Sequence, residues 1–558
     1  MCRCSNVLTG TLICFFLSIN TFAQEVIPPM DIPLYLSGNF GELRSNHFHS
    51  GIDFKTQGVE GIPVKSVKDG FISRISVSPY GYGRAIYVQH SDGLSSVYAH
   101  LSRFEPTIES AVRDSQYRKE SFSVNLHFKE NEFPVKQGEI IAFSGNTGSS
   151  GGPHLHFEMR DSDEPIDPLP YFQDKINDTK APEIRSIRLY PRSGKGMVNH
   201  STENQTLKVI KDASGKFTLT QPLYAWGHVG LGIKAYDRMD QTTNIYGVRE
   251  IILNVDGIQF FHSGIDRFAF DQTRYLNSFT DWEDWRDNRS FHVKSFIDPG
   301  NRLNIYHSGF DGTIPVIEER AYRVEYQLKD LYGNTSILSF DLIGKKMEIP
   351  ENHPEGILFR LTQNNFYKEK GIDLEIPIKN LYTDIYLQID TFSAGSLYSP
   401  LYRIGEKQPL HSYCPLVLDI TQDTYPDKSK YGIVSVFNKK ETWLGGKYEE
   451  GKMVGQIRES GDFYIQIDRT PPVILPLQMN KWTTNKKITF KITDNLSGIS
   501  DWKGTLNDEF VLFEYDAKTN RLFCRYDPQR MKRGKQLLKL HVTDSAGNET
   551  EFTKMVVF

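Results

Sequence analysis

The sequence predicts an all-β protein, with one small antiparallel β domain followed by about three β-sandwich modules. The chain has 558 residues, which is too long for one hydrophobic core and predicts several domains of roughly 100–200 residues each. Tyrosine (28) and phenylalanine (35) are abundant, and aromatic side chains favour the half-buried faces of strands. Beyond residue 171 the sequence alternates between apolar and polar residues, with turn residues between the stretches and no helical period.

Composition and charge exclude several classes of protein. Charged residues make up 24% of the chain and apolar residues 39%, which is typical of a folded rather than a disordered protein. The net charge of −4 argues against a broadly basic nucleic-acid binder. After the N-terminal leader, no apolar run approaches the ~18 residues that a membrane helix needs. We therefore expect no transmembrane segment in the mature chain and no nucleic-acid partner.

The first 23 residues predict a signal peptide. Arg3 supplies the positive charge, residues 8–22 are mostly apolar, and the small Ala23 precedes the expected cleavage point. Cys14 makes a poor lipidation site, because large apolar residues rather than small ones precede it. These features predict an exported, soluble protein of the periplasm or the extracellular envelope.

The cysteines do not form a disulfide framework. Cys2, Cys4 and Cys14 lie in the leader, which leaves only Cys414 and Cys524. The last two could pair if the fold brings them together, but a buried free thiol is the favoured state for each. A cysteine-ligated zinc site is excluded.

The first mature domain is predicted over residues 24–175. Its strands are indicated by alternating residues at 64–67, 71–77 and 85–88, and the Asp-Gly pairs at 69–70 and 92–93 predict hairpin turns between such strands. Residues 105–134 are charged and irregular, and we interpret them as an insertion between two strands.

The rest of the chain contains two pairs of similar sequence segments. Residues 179–184 resemble 470–474, and residues 330–336 resemble 544–550, where Asp precedes a Gly-Asn turn between strands. A late hairpin of an immunoglobulin-like sandwich often has this pattern. These segments predict immunoglobulin-like sandwiches at 180–345 and 471–558, with a further β-rich module at 350–470.

Histidines with strand-type spacing are the candidate chemical groups. His49 and Asp53 are four residues apart, and His154 and His156 are two apart, so each pair lies on one face of an extended strand. His100 follows Tyr98 at the same spacing of two. Three short strands could thus direct these groups into one groove, where three N/O ligands with an open fourth position would hold a catalytic zinc ion.

A single His-x-x-x-Asp motif has little meaning in this chain. Residues 262–266 repeat the motif of residues 49–53 letter for letter, and residues 307–311 nearly do so. Neither later copy is followed by a His-x-His motif. We expect both later copies to be turns on a sandwich surface.

The ordered set of motifs resembles the lysostaphin-type, LytM-like zinc metallopeptidases, which cleave cross-bridges or stem peptides of bacterial peptidoglycan. The set is His49-x-x-x-Asp53, then the Tyr98–Leu101 segment, then Gly145–Gly148 leading to His154-Leu155-His156. The resemblance covers residues 34–165, under a third of the chain. It implies a small antiparallel β domain with a narrow groove and one zinc ion at its floor.

The resemblance also implies a role for each histidine of the set. His49, Asp53 and His156 would bind zinc. His154 would be the general base that takes a proton from water, and His100 would hydrogen-bond the developing oxyanion. The metal is inferred as zinc from the ligand types, although a His₂Asp set also suits other divalent ions.

Three further residues are candidates for the substrate groove, namely Asn39, Arg44 and Tyr98. The neighbouring His47 is expected to be a surface or supporting residue, and His90 and His127 are expected to have no role at the site. The insertion at 105–134 follows the Tyr98–Leu101 segment, where it could wall or cap the groove. Because the domain directly follows the leader, latency would have to come from the insertion or from the C-terminal modules.

The C-terminal modules are expected to bind glycan, peptide or an envelope protein, or to act as spacers for the peptidase. Fold alone does not choose among these functions. The aromatic cluster at 282–286 is either a sugar-stacking platform or a tryptophan packed under a loop, and the second interpretation is favoured.

The sequence therefore predicts an exported zinc metalloendopeptidase that hydrolyses a peptide bond in peptidoglycan. The alternative is a non-catalytic or latent scaffold of the same type that regulates other wall hydrolases. Because such scaffolds typically lack a zinc ligand and all three are present here, the enzyme is favoured. Activity on protein substrates is a third alternative, and the bond that is cut does not follow from the sequence.

Overall fold

The computed structural model describes residues 25–393 and 395–557. The predicted signal peptide, with Cys2, Cys4 and Cys14, lies outside the described residues. Within them the chain consists of β-sheets with a few short helices, so the all-β prediction is confirmed. No helix among these residues has the length and apolar character that a membrane crossing requires.

The N-terminal domain is built on one antiparallel sheet with the strand order β1-β4-β13-β8-β7-β6-β10; β11 pairs with β6, and β14 pairs with β13. A smaller sheet has the order β5-β12-β9, and β2 and β3 form a hairpin. The elements are β1 (Leu36–Gly38), β2 (Leu43–Arg44), β3 (His47–Phe48), β4 (Ile52–Lys55), β5 (Pro63–Lys65), β6 (Gly70–Val77), β7 (Arg84–His90), β8 (Leu94–Ala99), β9 (Arg103–Phe104), α1 (Pro106–Lys119), β10 (Val124–His127), β11 (Pro134–Val135), β12 (Ile140–Phe143), β13 (His154–Asp161) and β14 (Glu164–Ile166).

Two expectations for this domain need correction. The Asp69-Gly70 pair is not a hairpin turn, because β5 pairs with β12 and the chain at this point crosses from one sheet to the other. The insertion is not irregular, since it begins with the 14-residue helix α1, whose N-cap Glu105 accepts hydrogen bonds from the backbone amides of Thr107 and Ile108. The turn at Asp92-Gly93, between β7 and β8, is as predicted.

The second part of the chain forms one continuous sheet with the order β20-β19-β23-β24-β17-β16-β15-β18-β21, in which β22 also pairs with β18. A parallel contact between β24 and β18 closes this sheet on itself. The elements are β15 (Glu183–Val198), β16 (Gln205–Lys211), β17 (Phe217–Leu219), β18 (Leu223–Tyr236), β19 (Glu250–Val255), β20 (Ile258–Gly264), α2 (Leu276–Phe279), α3 (Trp282–Asn288), β21 (Val293–Lys294), β22 (Ile314–Val316), β23 (Ala321–Lys329) and β24 (Thr335–Gly344).

The third part has its own hydrophobic core around a sheet with the order β26-β27-β30-β34-β31-β32, in which β29 pairs with β30 and β33 with β34. The elements are β25 (Ile357–Phe359), β26 (Asn365–Glu369), β27 (Ile372–Ile376), β28 (Ile385–Leu387), β29 (Ile389–Phe392), β30 (Leu401–Asp419), β31 (Tyr431–Phe437), β32 (Lys440–Gly445), β33 (Lys447–Glu449) and β34 (Lys452–Ile467).

The last part is a sandwich of two four-stranded sheets, β35-β36-β40-β39 and β38-β37-β41-β42, which enclose a separate core. Its long strands alternate buried and exposed residues, as one-sided burial requires. The elements are β35 (Val473–Pro476), α4 (Trp482–Asn485), β36 (Lys487–Thr493), β37 (Ile499–Leu506), β38 (Glu509–Val511), β39 (Glu514–Asp516), β40 (Arg521–Arg525), β41 (Lys535–Asp544) and β42 (Glu549–Val557).

The N-terminal domain and the second part share one hydrophobic core. Phe40 stacks on Phe268 with ring centroids 5.2 Å apart, and Phe48 packs against Phe279 at 5.9 Å. A shared core of this kind resists relative movement much more than a flexible linker does. The arrangement does not fit a simple spacer role for the second part.

The last sandwich packs against the N-terminal domain from another side, and helix α1 makes much of the contact. Tyr117 of this helix meets Phe510 with ring centroids 5.4 Å apart. The buried guanidinium of Arg84 bridges Glu109, on the helix, and Glu514, in the sandwich, at 3.2 and 3.0 Å. The insertion therefore joins two domains.

The two cysteines of the described chain are both buried and free, as favoured from the sequence. Trp282 is also buried, and its indole N–H donates to the backbone carbonyl of Lys407 in the third part, 3.1 Å away. This tryptophan is therefore a contact between modules, which agrees with the packed interpretation.

Candidate metal centre and active-site cleft

The central strands of the N-terminal sheet bring the predicted site residues together. Strand β13 lies between β4 and β8, and His156 is directly opposite Asp53 on one side and Ala99 on the other. Because side chains alternate, His154 and His156 share one face of the sheet, while Leu155 is fully buried on the other.

Three side chains meet at the centre of this face. His49 Nε2 lies 3.1 Å from Asp53 Oδ1 and 3.0 Å from His156 Nδ1, and His156 Nδ1 lies 2.9 Å from Asp53 Oδ1. All three residues are at most 8% exposed. Two imidazole nitrogens and one carboxylate oxygen this close together can ligate one divalent ion.

The other ring nitrogen of each imidazole has its own partner. His49 Nδ1 donates to the backbone carbonyl of Asn39 at 2.7 Å, and His156 Nε2 lies 2.9 Å from Glu158 Oε1. Such partners orient a metal-binding imidazole and select its tautomer, which leaves His49 Nε2 and His156 Nδ1 as the ligand atoms.

Glu158 is a further residue of this site, in contact with His156, that the sequence reasoning did not assign. Its buried carboxylate accepts hydrogen bonds from Ser50 Oγ at 2.6 Å, Tyr82 Oη at 2.5 Å and Arg160 Nε at 2.6 Å. Burial alone would raise the pKa of Glu158, but His156 and Arg160 lower it to about 2. The spacing of two from His156 on the same strand is the signal that could have identified it.

The carboxylates around His156 set its charge. Burial alone would lower its pKa, but hydrogen bonds to Asp53 and Glu158 raise it to about 9. The histidines around Asp53 hold the pKa of that carboxyl well below its ordinary value, against the effect of burial. The pocket between the two carboxylates thus favours a positive charge, which a divalent cation can supply in place of the proton.

Two further imidazoles face this cluster. The ring centroids of His100 and His154 are 4.8 Å apart, and each Nδ1 lies 2.8 Å from a backbone carbonyl, that of Thr147 for His100 and that of Gly152 for His154. In both rings Nδ1 is therefore the N–H donor, and Nε2 is free to take part in chemistry. Burial, reinforced by the neighbouring histidines, lowers the pKa of His100 to about 3.

The backbone turns sharply at His100. Its φ of +58° lies in the left-handed region, directly after strand β8 ends at Ala99. Regular alternation would place His100 on the same face as Tyr98, which faces the core. The turn instead brings the His100 side chain to the face of His156.

Tyr98 is therefore not a groove residue, and that prediction is wrong. The side chain is fully buried against Phe157, and its hydroxyl accepts a hydrogen bond from the backbone amide of Val67. The strand spacing that suggested a common face with His100 does not hold across the left-handed turn.

The other two groove candidates lie beside the centre. Arg44 places a guanidinium nitrogen 3.6 Å from Asp53 Oδ2. The side-chain amide of Asn39 makes two 2.9 Å hydrogen bonds with the backbone of Gly247 in the second part of the chain. The Asn39 side chain thus belongs to a domain contact, while the backbone carbonyl of Asn39 supports His49.

The two later copies of the His-x-x-x-Asp motif lie outside the site. The copy at 262–266 is not a surface turn as expected, because His262 belongs to strand β20. The copy at 307–311 lies in a largely exposed segment outside the strands, which agrees with the expectation. The His262 ring packs against that of His307 with centroids 5.0 Å apart, so the two copies face each other. His47 and His127 are exposed, whereas the buried His90 contacts the Asp69 carbonyl and Ser96 Oγ.

A cleft of about 620 Å³ begins beside the centre at Tyr82. The Tyr82 ring lies 5.4 Å from that of His156. Lys119, Ser123, Val124 and Asn125 of the insertion also line the cleft, so the insertion contributes both to this cleft and to the domain contact. Further lining residues are Arg74, Tyr80, Tyr87, Arg160 and Phe270.

Sequence comparison matches residues 47–117 and 120–168 to peptidase family M23, and residues 357–468 to the Zu5-like domain. The resemblance to the lysostaphin-type peptidases is thus confirmed for the N-terminal domain.

Individual relatives match the same part of the chain. The DD-carboxypeptidase/endopeptidase Mpg of Neisseria meningitidis serogroup B is 33% identical over 127 residues, 23% of each chain. Lysostaphin of Staphylococcus simulans is 32% identical over 130 residues, 22% of this chain and 21% of the relative. The solved catalytic domain of that lysostaphin is 28% identical with a TM-score of 0.19, and the match covers 25% of this chain and 92% of that one. The match thus spans less than a quarter of the length of these curated relatives.

Proposed function

We propose that the protein is an exported zinc metalloendopeptidase that hydrolyses peptide bonds in bacterial peptidoglycan. The main support is the cluster of His49, Asp53 and His156, which lies in contact with the two free imidazoles of His100 and His154. The M23 match of this domain and the names of its relatives support a peptidase of the cell wall.

The three clustered side chains fit zinc, because two imidazoles and one carboxylate are a donor set that catalytic zinc sites use. When bound, zinc would supply a water molecule of lowered pKa and would polarise the scissile carbonyl group. His49 Nε2, His156 Nδ1 and Asp53 Oδ1 would hold the ion. Asn39 and Glu158 would keep the two imidazoles in the orientation that binding needs.

His154 is the proposed general base. Its Nε2 lies 3.5 Å from Asp53 Oδ1, and this carboxylate can stabilise the imidazolium that forms when His154 accepts a proton. Its Nδ1–H donates to the Gly152 carbonyl, so the acceptor nitrogen points to the centre. The same imidazolium can then return the proton to the leaving amine.

His100 is the proposed partner for the developing negative charge. The lowered pKa of His100 makes it a weak base, which suits the second role rather than the first. Its ring is held by the Thr147 carbonyl at 2.8 Å, in contact with both His154 and His156. Because Nδ1 already carries the proton that bonds to Thr147, Nε2 would donate to the oxyanion only as part of the imidazolium, which the negative charge of the transition state would stabilise.

The cleft beside Tyr82 is the proposed binding groove for the wall peptide. Its aromatic rings offer flat apolar contact, and Arg74 offers a positive charge to the free carboxylates of such a peptide. Tyr80 is the most exposed aromatic residue of this cleft, at 54% exposure.

The C-terminal modules are proposed to brace the active site. Gly247 of the second part holds the Asn39 side chain, and the Asn39 carbonyl holds His49. From the other side, the Lys518 ammonium of the last sandwich contacts the backbone carbonyl of Asn146, which directly precedes Thr147. The first contact holds the residue whose carbonyl orients His49, and the second holds the residue before the one whose carbonyl orients His100.

The alternative function, a non-catalytic scaffold that regulates other wall hydrolases, is less well supported. Such a role does not require an ordered pair of free imidazoles beside the metal ligands. Here the ligands, their outer partners and both auxiliary histidines are all present in one arrangement.

The proposal is tested with the mature chain from residue 24 onward and purified peptidoglycan. We expect soluble muropeptides to appear, to stop appearing after removal of metal by a chelator, and to appear again when Zn²⁺ is restored. Mass spectrometry of the fragments would identify the bond that is cut. Fragments released at the same rate after metal removal would contradict the proposal.

A further inference from the structure

Three aspartates far apart in sequence meet at the junction between the N-terminal domain and the second part. Asp178 lies in the segment before β15, Asp237 directly follows β18, and Asp330 directly follows β23. One carboxylate oxygen from each lies within 4.8 Å of the other two. The cluster is separate from the histidine centre.

All three carboxylates are buried, with exposures of 6%, 2% and 6% in sequence order. Each accepts a backbone N–H bond on Oδ1: from Lys180 at 3.0 Å, from Arg238 at 2.9 Å and from Asn334 at 2.8 Å, in the same order. These bonds shape the three turns, but they neutralise no charge.

Asp178 Oδ2 is buried and has no hydrogen-bond partner among the described residues. The cations of the neighbourhood are used elsewhere. The Lys180 ammonium lies 3.8 Å from Asp240 and donates to the Met239 carbonyl, and the Arg249 guanidinium pairs with Asp167. A buried carboxylate oxygen without a donor is costly unless a cation or a proton serves it.

The three aspartates line a cavity of about 20 Å³ together with Arg249, Asp167 and mostly apolar residues. A space of this size holds about one water-sized particle. Asn39 also lines this cavity, on the side of the N-terminal domain.

Without a cation the cluster would have to hold protons. Burial, together with the other carboxylates of the cluster, raises the pKa of Asp178 to about 7 and that of Asp237 to about 8. The environment therefore disfavours three negative charges unless a positive charge is added.

We propose that Asp178, Asp237 and Asp330 bind one Ca²⁺ ion at the junction between the two domains. Ca²⁺ takes carboxylate and carbonyl oxygens at about 2.3–2.6 Å, so two oxygens on one ion are at most about 5 Å apart, which agrees with the 4.8 Å limit of the cluster. A donor set of oxygens alone suits a hard cation and is unsuited to the zinc of the histidine centre.

The last sandwich contains a matched cluster that serves as a control. Asp468, Asp494 and Asp544 also lie within 4.8 Å of one another. Asn548 bonds to Asp544 and to the carbonyl of Asp468 just as Asn334 bonds to Asp330 and to the carbonyl of Asp178. The difference is at the first aspartate, because Asp468 Oδ2 accepts an N–H bond from Ser497 at 2.9 Å. The oxygen of this cluster without a hydrogen-bond partner in the described part of the chain is Oδ1 of Asp494, a residue that is only partly buried, whereas all three aspartates of the junction cluster are buried.

The test is equilibrium dialysis of the full chain against radioactive Ca²⁺ at about 1 mM, the range in which extracellular calcium modules bind. All proteins carry His49→Ala, so the histidine centre does not contribute and a failure here is distinct from a failure of the proposed peptidase. We expect Asp237→Asn to lose one bound Ca²⁺ per chain. Asp468→Asn should retain the ion that Asp237→Asn loses.

Thermal unfolding of the same proteins provides the second readout. Ca²⁺ should raise the melting temperature of the parent chain by about 2 °C or more and leave that of Asp237→Asn unchanged. If Asp237→Asn does not fold, Asp178→Asn takes its place. Equal calcium content of the parent and the substituted chain, or no calcium bound by the parent at about 1 mM, would overturn the proposal.

Discussion

The histidine centre and the aspartate cluster at the domain junction are two groups of candidate metal ligands that differ in donors, access and neighbours. The histidine centre has mixed nitrogen and oxygen donors, lies beside a cleft of about 620 Å³ and is flanked by two free imidazoles. The aspartate cluster has oxygen donors alone and lines part of a cavity of about 20 Å³. The difference teaches that access and surrounding groups, rather than the presence of ligands, distinguish a site for chemistry from a site for structure.

The two clusters are linked through Asn39. This residue lines the aspartate cavity, bonds to Gly247 with its side chain and supports His49 with its carbonyl. A structural ion at the junction would therefore stabilise the segment that orients one ligand of the catalytic centre.

The largest effect is expected from removal of a ligand at the histidine centre. His156→Ala removes one of three donors and leaves Asp53 and Glu158 buried without their shared partner, so we expect a loss of zinc and a fall in peptidoglycan hydrolysis of about 10³-fold or more. The rate of muropeptide release measures this. His127→Ala, at an exposed position, is the matched control, and an equal loss in both variants would refute the assignment.

The second effect concerns the stability of the aspartate cluster in the absence of metal. Because the pKa of folded Asp237 is raised to about 8, ionisation is disfavoured in the folded state, and the metal-free chain should lose stability as the pH rises from about 4 to about 8. Asp237→Asn imitates the protonated form. It should therefore stabilise the calcium-free chain by about 5 kcal/mol at pH 8 and by little at pH 4.

Denaturant unfolding at a series of pH values measures this difference. A variant that is less stable than the parent at pH 8 without calcium would mean that Asp237 already has a compensating positive charge. The clusters would then be more alike in their electrostatics than we describe.

The third effect concerns the outer partners of the histidine centre. Glu158→Gln keeps the shape of the side chain but removes the charge that faces His156, so zinc affinity should fall about 10–100-fold. Competition with a zinc-binding dye measures the affinity. The exposed Glu130→Gln is the control, and unchanged affinity in Glu158→Gln would show that this carboxylate does not support the ligand.

The smallest effect is expected at Tyr98, which faces the core. Tyr98→Phe removes the acceptor of the Val67 amide and should lower the free energy of unfolding by about 1 kcal/mol. The hydrolysis rate should remain within about twofold of that of the parent, because the side chain does not reach the cleft. A large fall in the hydrolysis rate with an unchanged free energy of unfolding would show that Tyr98 contributes to the groove after all.

The histidine centre could be predicted because its members lie in short motifs on regular strands. The spacing of two at His154 and His156 is preserved by β13, and both face the site. The same logic failed for Tyr98, because the left-handed backbone at His100 interrupts the alternation. Histidine is enriched in that region, but the preference is too weak to predict such a turn at a given position. Asparagine, aspartate or glycine would have been the usual signal.

The helix of the insertion and the aspartate cluster were missed for different reasons. Helix α1 had local signals, with Pro106 at its first position and buried residues Ile108 and Val112 four apart, but the charges around them suggested irregular structure. The members of the aspartate cluster are 59 and 93 residues apart, and only the tertiary fold brings them together. The similar segments at 330–336 and 544–550, each with an Asp followed by a Gly-Asn turn, were visible in the sequence. They indicate a turn and do not reveal the other ligands.

The central claim is that the histidine centre is catalytic, and one measurement tests it most directly. The zinc content and the rate of muropeptide release are determined together for the parent chain and for His154→Ala, which keeps all three proposed ligands. We expect full zinc occupancy in both and release at least about 10²-fold slower in His154→Ala, since only the proton acceptor is lost. Equal rates in the two chains, or no release by a zinc-loaded parent, would contradict the claim.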